Sequence, residues 1–80
     1  MLADRIKSLC ENFRERMGSD LLGLSKSYVD HGENELALDT LCENLLENEI
    51  AISEDELAEA LLLGKEVGLD DLGYLKTLVH

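Results

Sequence analysis

Near the N-terminus the apolar residues fall at Leu2, Ile6, Leu9, Phe13 and Met17, in steps of four, three, four and four. That spacing lines one face of an α-helix and predicts a first helix reaching Gly18, which stands where a left-handed C-terminal residue belongs. Ser19 then offers an N-cap, with Asp20 in the first turn, where the helix dipole favours an acid. Leu21, Leu24 and Tyr28 share a face of a second, short helix, with Leu22 and Val29 beside it and Gly32 ending it. A third helix begins near Asn34, turns Leu38, Leu41, Cys42 and Leu45 inward, and frays around Asn48.

The segment Glu49-Ile50-Ala51-Ile52 alternates too weakly for a strand and reads as an extended connector that pins two isoleucines into the core. Ser53-Glu54-Asp55-Glu56 has the form of a capping box, the serine accepting from the backbone of Glu56 while the Glu56 carboxylate reaches back. A fourth helix buries Leu57, Ala60, Leu61 and Gly64, is widened by Leu62 and Leu63, and stops at Gly68. A last short helix follows Asp70 as its cap and buries Leu72, Leu75 and Leu78. The expected fold is all-α: a compact single-domain bundle over residues 1–80, with four main helices plus a short C-terminal helix.

Composition agrees with that pattern. Leucine supplies 18 of the 80 residues, there is no proline, and only Phe13, Tyr28 and Tyr74 are aromatic, a balance that favours helix over sheet. Two cysteines 32 positions apart make no metal or redox pair and suit a reducing cytoplasm. The first residues lack the apolar core of a signal peptide, and no apolar run approaches the roughly 18 residues of a membrane span. A domain of this size has an expected stability of only a few kcal/mol, so a partner or a homodimer would add to it by mass action.

Charge changes the picture more than composition does. Residues 1–29 hold five bases and four acids, and residues 60–80 two bases and three acids. Residues 30–59 hold eleven acids and no base, so the net charge of -11 sits in one block. Direct binding to nucleic acid or an anionic membrane is excluded on these grounds, since phosphate contacts need Lys and Arg. Within the block Glu35, Asp39, Glu43 and Glu47 recur every four positions and stack along one helical stripe. Like charges at that spacing weaken a helix by a few tenths of a kcal/mol per pair, and a helix selected for stability alone would carry lysines in some of those slots. Two readings stand: a solvated face that aids solubility, or an anionic docking surface for a strongly basic partner.

No catalytic constellation emerges. From Asp30 the chain reads Asp-His-Gly-Glu-Asn-Glu, with histidine and glycine misplaced for a calcium loop. Cys10, Cys42, His31 and His80 lack the spacing of zinc ligands, so the cysteines read as core thiols and His31 as a residue at a helix C-terminus. No cofactor is expected. An acyl carrier protein is also helical and acidic, but the nearest match to its Asp-Ser-Leu attachment motif is Ser19-Asp20-Leu21, in the wrong order and too near the N-terminus.

The stretch Tyr28-Val29-Asp30-His31-Gly32-Glu33, followed by Ala37-Leu38, Leu41, Asn44-Leu45 and Asn48-Glu49-Ile50, resembles the signature region of the MafI family of bacterial immunity proteins. The likeness continues through Ile52-Ser53-Glu54 and, more weakly, Gly68-Leu69-Asp70 and Leu75-Lys76, and so covers about residues 28–78. Ala51 departs from the proline common at that place in the family. The resemblance implies a non-enzymatic cytoplasmic antidote that binds and blocks the effector domain of a polymorphic or contact-dependent inhibition toxin. Such effectors are often nucleases, whose cationic clefts an anionic face would complement. Asp30, Glu33, Glu35, Asp39, Glu43 and Glu47 are the expected charged contacts, and Tyr28 or Tyr74, where exposed, would serve as aromatic anchors. An acyl-carrier-like protein and a DNA-mimic inhibitor of a DNA-binding protein remain as alternatives.

Overall fold

Eighteen buried apolar residues form a single cluster, and every helix contributes to it. The computed structural model describes all residues, Met1–His80, as five α-helices and one 3-10 helix. In chain order these are α1 (Leu2–Asn12), α2 (Arg14–Met17), α3 (Ser19–Asp30), α4 (Asn34–Glu47), α5 (Glu54–Val67) and the 3-10 helix Leu72–Leu78. The architecture is all-α, about 32 × 26 × 18 Å, and no helix is long and apolar enough to cross a membrane. α4 packs against α1, α3, α5 and the 3-10 helix, burying Ala37, Leu38, Leu41, Cys42 and Leu45.

The expected first helix is two helices. Phe13 leaves the helical path at φ −100° and ψ 3° while staying buried, so the apolar spacing alone does not reveal the break. The Arg16 N–H donates to the Phe13 carbonyl, and the Asn12 carbonyl accepts from the Arg16 guanidinium at 2.7 Å instead. That guanidinium lies 4.5 Å from the centroid of the Phe13 ring and reaches onward to the Ala51 carbonyl at 3.0 Å and the Glu56 carboxylate at 2.5 Å. One long side chain therefore bonds across the α1–α2 break and ties it to the connector and the start of α5.

Ser19 is the first residue of α3 rather than its cap; Gly18 takes the cap position and the serine hydroxyl makes no capping bond. α3 keeps the expected extent but is turned on its axis. Leu22, Ser25 and Val29 are buried, whereas Leu24, expected inward, is exposed. Both faces carry apolar residues, and contact with α1 and α4 selects the one containing Leu22 and Val29. The third helix runs as expected. Its end uses a left-handed residue, as does that of α3: the Glu33 N–H donates to Tyr28 across Gly32, and the Ile50 N–H donates to Leu45 across Glu49.

The capping box at Ser53 and Glu56 forms as expected, with bonds of 3.0 and 2.8 Å. In α5 the buried residues are Ala60, Leu63 and Gly64; Leu57 and Leu61 are half-buried and Leu62 is exposed. The connector buries Ile52 and makes a single parallel bridge to Val79, with Ile52 N–H donating to Leu78 at 3.0 Å and His80 N–H to Ile52 at 3.3 Å. The C-terminal element buries the expected Leu72, Leu75 and Leu78, but as a 3-10 helix that follows Asp71. Asp70 is not its cap, and Asp71 makes no side-chain capping bond either.

Candidate docking surface

The bases of the chain are spent away from the carboxylate stripe. Arg5 bridges Glu59 at 3.2 Å and Glu66 at 2.7 Å, joining α1 to α5. Lys7 pairs with Asp30, Lys26 with Glu11, Arg14 with Glu11 at 2.7 Å, and Arg16 with Glu56. Lys65 and Lys76 have no carboxylate partner within ion-pair distance, and neither lies on α4. Of the eleven acids in residues 30–59, only Asp30, Glu56 and Glu59 are thereby neutralised. Glu35, Asp39, Glu43 and Glu47 keep no cation.

The four carboxylates run obliquely along α4, starting from the flank that borders the turn after α5 and the start of the 3-10 helix, with Glu35, Glu43 and Glu47 exposed and Asp39 half-buried. Glu43 feels its neighbours on the stripe. Asp39 is the chief cause that raises the Glu43 carboxyl above its usual range, with partial desolvation, Glu47 and Asp71 adding to it. Asp71 arrives from the start of the 3-10 helix, more than twenty positions further along the chain, so no sequence periodicity connects it to the stripe. At the other end the Glu35 carboxylate borders the turn after α5, about 4.0 Å from where a Cβ on Gly68 would lie.

Asp30 and Glu33 were expected to extend this field. Glu33 is exposed just before α4, but Asp30 is held by Lys7, whose bond to it lowers the Asp30 carboxyl below its ordinary range. Lys7 lies more than twenty residues from Asp30, and only the packing of α1 on α3 brings them together. The tyrosines do not stand free as anchors. Both rings are half-buried against the core, because Tyr28 lies at the inner edge of α3 and Tyr74 on the packed side of the 3-10 helix. The Tyr74 hydroxyl is enclosed without a hydrogen-bond partner, and burial, aided by Cys42, Asp39, Glu43 and Asp71, raises its pKa.

The groups that would serve nucleophilic chemistry are shut away. Cys10 and Cys42 are buried and unbridged, and burial pushes their thiols up to about 11 and about 12. His31 caps α3, with Nδ1 2.8 Å from the Ser27 carbonyl oxygen. What the surface offers is a strip of unpaired negative charge carried by a helix packed against α1, α3, α5 and the 3-10 helix. No family model matches the chain, and no curated protein or solved structure matches it significantly.

Proposed function

We propose that this chain is an immunity protein that binds the basic effector domain of a bacterial toxin, a nuclease of the RNase type, and covers its substrate cleft with the acidic face of α4. One observation carries the reading. Five of the seven bases are committed to pairs elsewhere, yet the helix packed against most of the molecule keeps four carboxylates with no cation among them, and Asp39 and Glu47 both raise the carboxyl of Glu43 between them. A surface under selection for stability alone would have neutralised them. A cleft that holds a polyanion is cationic, and an anionic strip speeds encounter with it and repels anionic partners. The resemblance of residues 28–78 to the MafI signature points to the same partner class. Under this reading the chain acts in the cytoplasm of the cell that makes the toxin.

The test is the double substitution Asp39→Lys with Glu43→Lys. The new lysines would face Glu35 and Glu47 one turn away, so the variant is expected to fold at least as well as the parent. Its association with the effector domain encoded beside it should slow by about ten- to a hundredfold at low salt, with loss of protection in coexpression. Full protection by the folded double variant would end the proposal. Capture of a DNA-binding protein by the native chain, in place of a toxin, would replace it with a DNA-mimic role.

A further inference from the structure

Leucine is the main core residue here, yet Leu24, Leu36, Leu46 and Leu62 each keep at least two-fifths of their surface in water. Single exposed leucines are ordinary. Two of these, however, share α4 with the unpaired carboxylates: Leu36 is 42% exposed and Leu46 is 40% exposed. Leu36 lies one turn before Asp39, and Leu46 one turn after Glu43, the spacing at which helical side chains meet. A lysine in either slot would relieve the repulsion along the stripe. Leucine leaves the repulsion in place and presents apolar surface beside it.

The two leucines are ten residues apart, which at 1.5 Å per residue is about 15 Å along the helix axis, with Asp39 and Glu43 between them. Beyond Leu46 a depression of about 490 Å³ opens, with Glu49 and Leu78 among its walls, so the strip ends at a concavity. Apolar points that lose water on contact add affinity, and the charges between them fix register.

We infer that the outer face of α4 is a mixed apolar and anionic docking strip whose occupant is a cationic amphipathic α-helix of the partner, with apolar side chains seated on Leu36 and Leu46 and its Lys or Arg residues on the carboxylates. This rests on the immunity reading and deepens it by naming the element recognised. A helix is favoured by repeat length. Carboxylates every four residues recur at about 6 Å, the same repeat as cations every four residues on a helix laid alongside. Same-face residues of a strand recur at about 6.6 Å and fall about 2 Å out of step over the three intervals of the stripe.

The experiment uses two synthetic helical peptides of about 18 residues with the same lysines at four-residue spacing. One carries leucines between the lysines and the other serines. Binding to the whole protein is read by fluorescence anisotropy at two ionic strengths. The native chain should prefer the leucine peptide by on the order of tenfold. Replacing Leu36→Gln and Leu46→Gln should abolish the preference, whereas Leu24→Gln with Leu62→Gln should retain it. Glutamine keeps good helix propensity, so folding, checked by circular dichroism, is preserved. Equal binding of both peptides by the native chain, or a preference that survives loss of Leu36 and Leu46, overturns the inference. A leucine preference without protection against any toxin would leave the strip standing and remove the toxin, so the two readings fail separately.

Discussion

A Cβ on Gly64 would lie 2.7 Å from the Leu69 carbonyl oxygen and 2.8 Å from Leu72 Cδ1, both closer than real atoms pack. Because the nearer neighbour is backbone, the turn between α5 and the 3-10 helix would have to move. Gly64→Ala should therefore cost about 1–3 kcal/mol despite alanine's better helix propensity. Gly23, inside α3, has nothing within 4 Å of its imagined Cβ, so Gly23→Ala should stabilise by about 0.5–1 kcal/mol. Urea unfolding of both variants checks the contrast, and a shift of the same sign in each would refute the packing argument. Both glycines stand in leucine-rich helical stretches; the apolar spacing puts Gly64 on the inward face of its helix but does not show how closely a neighbour approaches. The difference lies in what approaches from elsewhere in the chain.

At the scale of elements, α4 carries two costs that substitution can remove. Its C-terminal turn has the double hydrogen bond of a glycine-ended helix, Glu49 N–H to Leu46 and Ile50 N–H to Leu45, yet the left-handed position is held by Glu49 at φ 51°. Glu49→Gly should raise stability by about 1 kcal/mol, the cost of a left-handed residue with a Cβ; an unchanged thermal midpoint would show that the turn is unstrained. The second cost is electrostatic. A carboxyl whose pKa is raised by folding opposes folding once it is ionised, and that opposition vanishes as pH falls through the folded value. Glu43 is such a group, so Glu43→Gln should raise the unfolding midpoint at neutral pH and leave it unchanged in acid, where the native side chain is itself protonated. Glu56 has the opposite sign, since Arg16 and the Ser53 backbone lower its pKa; its contribution is present at neutral pH and is lost as pH falls through the folded value. Melting curves across the acid range separate the two, and a benefit of Glu43→Gln that persists in acid would rule out charge as the cause.

Over the whole molecule a single core links all six helices, and the two thiols report on it. Cys10 on α1 and Cys42 on α4 are completely buried, and with thiols raised to about 11 and about 12 they are protonated at neutral pH. Both should react with a disulfide reagent only when the core opens, at matching slow rates that rise together with urea. Faster labelling of Cys10 alone would mean that α1 detaches as a separate unit. The ion pairs follow the same global logic. Arg5, Lys7 and Arg16 reach acids 23 to 61 positions away, fastening α1 and α2 to α3 and α5. That arrangement uses up the positive charge on one side and leaves the stripe on α4 anionic.

What the chain determines locally was legible in its letters. Helix positions, the Ser53 capping box, the stops at Gly32 and Gly68 and the four-residue carboxylate register of α4 each depend on residues within a turn or two of one another, and local hydrogen bonding and helical period fix them. Glu49 escaped notice because its turn lacks the glycine that usually marks one. Which face of α3 turns inward, that Phe13 interrupts a regular apolar spacing, that Lys7 claims Asp30 and that Asp71 joins the stripe were decided by tertiary structure alone. Each depends on groups far apart in the chain being brought within a few ångströms, and packing sets that proximity where periodicity does not.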